Sequence, residues 1–147
     1  MDPAALLQKW ADGKATLKDV RGYRDEELYA IAKAAYVFYH QGRIKEARTL
    51  FQGLYAVNPL DSYFARALGV VELAAGNATG AQQAYDVAIK LSPDDSAAYV
   101  GRAEVKLALG QKLPAIEDLR RAAGLLPPGE PLANKVAAML EALTRRG

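Results

Sequence analysis

The sequence has no cysteine, a single histidine and no long apolar run among its 147 residues. The absence of thiols excludes disulfides and zinc–thiolate sites, and the lone His40 supplies neither a metal cluster nor a catalytic triad. No stretch approaches the roughly 20 apolar residues of a membrane-spanning helix, and the first residues do not have the pattern of a secretory signal. We therefore expect a cytoplasmic protein without membrane insertion, bound metal or other cofactor.

The sequence also lacks a strong excess of charge of either sign. Its 19 basic and 17 acidic residues give a net charge of +2, and its longest basic blocks are pairs such as Arg145-Arg146. This balance argues against a nucleic-acid partner. The scattered glycines form no phosphate-binding loop, and acidic pairs such as Asp94-Asp95 stand at predicted helix starts, where negative charge is favoured. No group of residues has catalytic spacing, and we predict that the protein is not an enzyme.

What the sequence does contain is a repeat with a period of 34 residues. Columns of glycine, alanine, proline and bulky apolar residues mark it: Gly42, Gly76 and Gly110; Ala47, Ala81 and Ala115; Pro59, Pro93 and Pro127; Phe51, Tyr85 and Leu119. Glycine ends a helix by adopting a left-handed conformation, and proline prevents a helix from continuing. Each unit is therefore predicted to be a pair of antiparallel helices. Small residues such as Ala35 and Ala47 would let the two helices approach closely.

A helix pair of this kind cannot bury its apolar face alone, whereas a stack of three pairs has a continuous core. The period and the columns resemble the tetratricopeptide repeat family over residues 28–127. The resemblance implies an all-α fold, a right-handed solenoid of three helix-turn-helix repeats. We expect a single domain (1–147) with an N-terminal helical segment (1–24), repeat 1 (25–59), repeat 2 (60–93), repeat 3 (94–127) and a C-terminal capping helix (130–146).

Capping residues and flanking helices complete this prediction. Asp25, Asp61 and Asp95 are the predicted N-caps of the first helices of the pairs. In the N-terminal segment, Asp2 and Pro3 would begin a short helix that ends at Gly13, and residues 16–19 form a weak capping box. One side of that short helix carries Leu6, Leu7 and Trp10. The capping helix is predicted from an apolar stripe at helical spacing, formed by Leu132, Val136, Met139, Leu140 and Leu143.

The first helix of repeat 1 carries a row of tyrosines. Tyr29, Ala32, Tyr36 and Tyr39 share one side of it, whereas Phe38 falls on the side of the packing columns. The first helices line the concave surface of such a solenoid, and the equivalent positions in repeats 2 and 3 are Tyr63, Arg66, Val70 and Leu73, then Ala97, Val100, Glu104 and Leu107. This groove suits an extended apolar segment of another protein. The alternative is that the tyrosines pack against the N-terminal helix or another capping element.

The chain also resembles a narrower group of proteins, most clearly over residues 16–76. The segments that carry this resemblance are Thr16-Leu17-Lys18-Asp19, Leu28-Tyr29-x-x-Ala32, Gly42-Arg43-x-x-Glu46-Ala47, Phe51-x-x-Leu54, Asp61 with Tyr63-Phe64, and Leu68-Gly69. They are similar to the class II chaperones of type III secretion systems. The resemblance implies a cytoplasmic chaperone that holds a segment of a hydrophobic translocator protein in its groove, with Tyr36 and Tyr39 lining anchor pockets.

Two further expectations concern partners. The chaperone resemblance implies a homodimer formed through the N-terminal helical region, including Leu6, Leu7 and Trp10. The alternative function is a generic repeat scaffold that assembles a bacterial secretion, pilus or regulatory complex. A translocator-like gene beside this one would favour the chaperone over the scaffold.

Overall fold

The computed structural model describes residues 3–12 and 24–145, and these residues form eight α-helices and no strand. In chain order the helices are α1 (Pro3–Ala11), α2 (Asp25–His40), α3 (Ile44–Val57), α4 (Ser62–Ala74), α5 (Ala78–Leu91), α6 (Ser96–Ala108), α7 (Lys112–Leu125) and α8 (Pro131–Thr144). The pairs α2–α3, α4–α5 and α6–α7 stack one after another, so the predicted all-helical solenoid is confirmed. None of these helices is long and apolar enough to cross a membrane.

Glycine and proline end the helices at the positions that their columns predicted. Gly42, Gly76 and Gly110 have φ angles of +79°, +85° and +77°, in the left-handed region that a side chain disfavours. Each of them stands two residues after the end of a first helix. The three prolines of the column likewise stand two residues after the end of a second helix, where the missing N–H prevents another turn.

The core lies between the first and second helices along the whole stack. The small residues predicted at the helix crossings are fully covered: Ala35, Ala47, Ala81, Ala103 and Ala115. Because these residues are small, the paired helices approach closely, and the bulky column fills the space between pairs. Phe51 and Leu119 are fully buried and Tyr85 is only 3% exposed.

Two of the three predicted N-caps are confirmed and the third is wrong by one residue. The Asp61 carboxylate accepts a hydrogen bond from the Tyr63 amide (2.9 Å), and the Asp95 carboxylate accepts one from the Ala98 amide (3.3 Å). Helix α2 instead begins at Asp25, after Arg24 as its cap. Asp25 lies in the first turn together with Glu26 and Glu27. Negative charge there stabilises the helix through its dipole, and the Glu27 carboxylate also accepts a hydrogen bond from the Arg24 amide at 3.3 Å.

Both flanking helices pack against the repeat next to them. Helix α1 contacts mainly α3 of its own chain, and Leu7 is half-buried against the core of repeat 1. Helix α8 packs on α7, where it buries Val136 fully. The rest of the predicted apolar stripe is half-buried on the same core: Leu132, Met139, Leu140 and Leu143. The predicted cap at Asp2, the stop at Gly13 and the capping box at 16–19 lie outside the described residues.

Candidate functional site

The first helices of the three pairs form one continuous surface, which we call the inner face. Tyr29 and Tyr36 of α2 contact Tyr63 of α4 through their rings. Arg66 of α4 reaches the carboxylate of Asp95, the cap of α6, at 3.4 Å, and α4 packs directly against α6. Since each first helix touches the next, the exposed sides of α2, α4 and α6 make an unbroken wall, as expected for the concave side of a solenoid.

The tyrosines that the sequence placed on this face form a cluster around Tyr36. The ring centroid of Tyr36 lies 5.0 Å from that of Phe51, 6.2 Å from that of Tyr63 and 6.4 Å from that of Tyr39. Tyr29 joins the cluster at 5.7 Å from Tyr63. Tyr36, Tyr39 and Tyr63 are half-buried, whereas Tyr29 is 43% exposed. The cluster therefore has one side on the core and one side open at the inner face.

The hydroxyl groups of Tyr29, Tyr36 and Tyr63 stay protonated near neutral pH. Burial raises the pKa of Tyr36, and it also raises that of Tyr63 although the charge of Arg66 opposes the shift. The hydroxyl of Tyr29 donates a hydrogen bond to Asp61, which, together with burial, raises the pKa of Tyr29 to about 12. A neutral tyrosine can both donate and accept a hydrogen bond, so the cluster combines apolar surface with uncharged polar groups.

The inner face changes in character from repeat 1 to repeat 3. Val70 and Leu73 of repeat 2 are half-buried and continue the apolar surface, as does Leu107 of repeat 3. Glu104 is half-exposed and forms an ion pair with Lys135 of α8 at 2.8 Å. The aromatic part of the face thus lies at repeat 1 and Tyr63 of repeat 2. The ion pair of Glu104 and Lys135 lies toward the C-terminal end.

Three of the residues expected in the groove contribute less surface than the sequence suggested. Ala32 is fully buried and Val100 is 3% exposed, so they form the interior of the wall. Ala97 is half-buried and adds only a methyl group. The helical spacing identifies the side of a helix correctly but does not say how deeply each residue lies.

Sequence reasoning missed one residue near the inner face, Tyr85. Its place in the bulky column predicted only a core side chain, and it is indeed buried. Its ring, however, stands directly against Gly69 of α4 and Gly101 of α6. The signal in the sequence was a glycine within each of two first helices, Gly69 and Gly101, where a helix interior disfavours glycine. The sequence alone does not show that both glycines contact the ring of Tyr85, because the three residues lie on three different helices.

The residues expected at a dimer contact all belong to α1. Leu7 contacts the core of its own chain. The side chains of Leu6 and Trp10 lie outside the described part of the structure. For α1 itself, the packing on α3 shows a docking site within the same chain.

An open cleft of about 530 Å³ lies between α1 and the start of α3. Its polar side chains pair with close neighbours: Gln8 with Asp12, Arg43 with Glu46, and Thr49 with the Lys45 carbonyl. Within residues 3–12 and 24–145, no three acidic or histidine side chains come close enough to hold a metal ion.

Comparison with known proteins identifies the repeat. The tetratricopeptide repeat family model matches residues 33–96 and 66–130, which together span more than half of the chain. A search of curated proteins by sequence gives no match.

Three solved structures of similar fold each share about a quarter of their residues with this chain. PcrH from Pseudomonas aeruginosa is 26% identical with a TM-score of 0.79, over 86% of this chain and 98% of PcrH. PcrH in complex with the chaperone-binding region of PopD is 26% identical with a TM-score of 0.78, over 85% and 96% of the two chains. The Yersinia enterocolitica type III secretion chaperone SycD, in complex with a peptide of the translocator YopD, is 26% identical with a TM-score of 0.74, over 82% and 94%.

SycD is a type III secretion translocator chaperone, and PcrH binds the chaperone-binding regions of PopD and PopB, so the resemblance drawn from the sequence is confirmed. The tetratricopeptide repeat model matches the same region that forms the three stacked helix pairs and their inner face. The chain therefore belongs to the tetratricopeptide repeat family.

Proposed function

We propose that this protein is a cytoplasmic chaperone that binds an extended apolar segment of a type III secretion translocator along its inner face. The observation that carries the proposal is the half-open tyrosine cluster of Tyr36, Tyr39 and Tyr63. The similarity to SycD and PcrH, whose structures hold peptides of YopD, PopD and PopB, supports the same ligand class. The protein acts by binding alone, without catalysis.

The mechanism is burial of apolar side chains that would otherwise aggregate. An extended segment presents alternate side chains to one surface, and here that surface consists of Tyr36, Tyr39, Val70 and Leu73. Each tyrosine ring offers on the order of 150–250 Å² of area. Tyr63 extends the apolar surface between the first two repeats, and Arg66, Glu104 and Leu107 border it toward the C-terminal end.

The three repeats and their flanking helices act as one domain in this proposal. The stack buries a core that runs from α2 to α8, and the groove exists only when the first helices lie side by side. We therefore retain the single domain 1–147 with the repeat limits given above.

The same resemblance supports a homodimer through α1, since a SycD structure is described as an alternative dimer. Leu7 also packs in its own chain, so its substitution would alter folding and association together. We therefore use Trp10→Ala as the test, with circular dichroism to follow the fold of the variant. We expect the native chain to sediment as a dimer and the variant as a folded monomer, and a native chain that sediments as a monomer would contradict the proposal.

A peptide array tests the proposed ligand class. It carries overlapping peptides from YopD, the chaperone-binding regions of PopB and PopD, and translocator-like proteins encoded beside this chain, with scrambled peptides as controls. The tightest binder, labelled with a fluorophore, is called the probe peptide below. We expect it to contain spaced apolar anchors and to lose affinity for the Tyr39→Ala variant. If the native chain binds no peptide better than its scrambled version, the chaperone proposal is wrong and the scaffold function is favoured.

A further inference from the structure

The ring of Tyr85 passes between the first helices of repeats 2 and 3. It comes from α5 and stands against Gly69 of α4 and Gly101 of α6. A Cβ atom at position 69 would lie 2.7 Å from Cε2 of Tyr85, and a Cβ at position 101 would overlap both the ring and its hydroxyl oxygen. The two glycines therefore leave a slot that only this ring fills.

The hydroxyl group of Tyr85 stands beside Gly101 of α6. Gly69 is one helical turn from Arg66, and Gly101 is one turn from Glu104, so the slot opens between these two inner-face residues. Burial raises the pKa of Tyr85, and the negative charge of Glu104 adds to the shift while Arg66 opposes it. The hydroxyl therefore remains neutral.

This hydroxyl makes no hydrogen bond to the residues that the structure describes, although the side chain is only 3% exposed. No fully buried side-chain nitrogen or oxygen in that part of the chain is left without a partner, which agrees with a Tyr85 oxygen that contacts solvent. The two charged residues on either side of the slot form ion pairs with other residues: Arg66 with Asp95 at 3.4 Å and Glu104 with Lys135 at 2.8 Å. A buried tyrosine usually has a partner for its hydroxyl.

The equivalent positions in the other repeats carry no polar group. They are Phe51 in repeat 1 and Leu119 in repeat 3. The Tyr85 hydroxyl is thus an uncharged hydrogen-bonding group between repeats 2 and 3, with its ring held in the slot. Such a group suits the main chain of an extended peptide, which offers an N–H and a carbonyl at every residue.

We propose that Tyr85 is a specificity-determining residue whose hydroxyl forms a hydrogen bond with a main-chain group of the bound segment and so fixes its register on repeat 2. This inference rests on the proposed function, because it assumes that an extended segment occupies the inner face. It adds a contact to the peptide main chain to the burial of apolar side chains described above.

The Tyr85→Phe variant tests the inference because it keeps the ring in its slot and removes only the hydroxyl. We expect the unfolding midpoint to stay unchanged, since no intramolecular hydrogen bond is lost. The Kd for the probe peptide, measured by fluorescence anisotropy, should rise by about 3- to 10-fold.

The matched control is Tyr99→Phe, which removes another hydroxyl from a buried tyrosine. The Tyr99 hydroxyl donates to the Pro93 carbonyl at 3.0 Å, so this variant should lower the unfolding midpoint and leave the Kd for the probe peptide unchanged. An ester scan of the probe peptide, replacing one amide at a time, should find one position that weakens binding to the native chain and not to Tyr85→Phe.

Three outcomes separate the inference from the function on which it rests. A raised Kd of Tyr85→Phe for the probe peptide, with an unchanged unfolding midpoint, supports both the role of Tyr85 and the chaperone function. A probe peptide that binds the native chain and Tyr85→Phe equally well overturns the role of Tyr85 and leaves the chaperone function standing. A native chain that binds no array peptide overturns both proposals.

Discussion

The ring of Tyr36 lies 5.0 Å from the ring of Phe51, with the two planes at 67°. Tyr36 belongs to the inner face, whereas Phe51 is fully buried between the helix pairs. The edge-to-face contact therefore joins the candidate binding surface to the core. One consequence is that a substitution at Tyr36 changes stability as well as binding, and variants of the inner face need stability controls.

Removal of the Tyr36 ring should destabilise the fold. We expect Tyr36→Ala to lower the free energy of unfolding by about 2–4 kcal/mol, because it deletes a half-buried ring and leaves a cavity beside Phe51. Tyr36→Phe keeps the ring and should change the free energy by less than about 1 kcal/mol. Urea unfolding followed by circular dichroism measures both. Equal unfolding curves for Tyr36→Ala and the native chain would show that the ring does not support the core.

The slot for Tyr85 makes glycine necessary at position 69. A Cβ there would lie 2.7 Å from the Tyr85 ring, and we expect Gly69→Ala to lower the free energy of unfolding by about 1–3 kcal/mol through overpacking. The matched control is Gly124→Ala, also within a helix, where a Cβ meets no atom within 4 Å. Alanine there should stabilise the protein by about 0.5–1 kcal/mol. Thermal and urea unfolding of the two variants should shift in opposite directions.

Glu72 should make the fold sensitive to acid. Its carboxylate accepts hydrogen bonds from Arg48 (2.9 Å), Gln52 (2.9 Å) and Asn77 (2.8 Å). Burial alone would raise the pKa of Glu72, but the three donors outweigh it, so the pKa lies below its ordinary value of 4.5. A lowered folded-state pKa stabilises the protein above the unfolded value, and this stability is lost as the pH falls through the folded-state pKa.

The Glu72→Gln variant tests this pH dependence. We expect it to lower the free energy of unfolding at neutral pH by about 1–3 kcal/mol and to flatten the decline of stability below pH 4.5, the ordinary pKa of this carboxyl. Glu26→Gln is the control, because the Glu26 side chain is 82% exposed and its charge acts through the dipole of α2. This variant should change the free energy of unfolding by less than about 1 kcal/mol. Identical pH profiles for the native chain and Glu72→Gln would contradict the assignment.

The hydrogen bond between Tyr29 and Asp61 should be visible in a titration at high pH. It raises the pKa of Tyr29 from 10.0 to about 12, so its stabilising effect is complete below pH 10 and is lost as the pH rises through 12. Asp61→Asn retains an N-cap residue but removes the negative acceptor. We expect it to move the Tyr29 titration, followed by NMR, back toward 10. A Tyr29 titration that Asp61→Asn leaves in place would rule out this cause.

The fold could be predicted from the sequence because its main features are local. A glycine with positive φ ends the helix that stands two residues before it, and a proline does the same for the second helix of each pair. Both effects act within a few residues of the glycine or proline. The 34-residue spacing then fixed which small and bulky residues meet. The cap of α2 was misplaced because Arg24, Asp25, Glu26 and Glu27 offer several starting points, and charge alone does not distinguish a cap from a first turn.

The candidate site was predicted only in part. Helical spacing placed Tyr36, Tyr39 and Tyr63 on a common face, and the structure brings their rings together. Spacing could not reveal that Ala32 and Val100 are buried, because depth depends on the neighbouring helices. It also could not reveal the slot for Tyr85, which requires two glycines from different repeats to face the same ring.

The most direct test of the account is co-expression of the chain with the full-length protein from which the probe peptide comes. The soluble fraction of that partner is measured with the native chain, with the Tyr36→Ala/Tyr39→Ala variant, and with Tyr55→Ala. Tyr55 is half-buried on the second helix α3, so its replacement controls for lost stability. We predict a soluble partner with the native chain and with Tyr55→Ala, and a partner in the pellet with the double variant. A partner that is equally soluble with the double variant would contradict binding at the inner face.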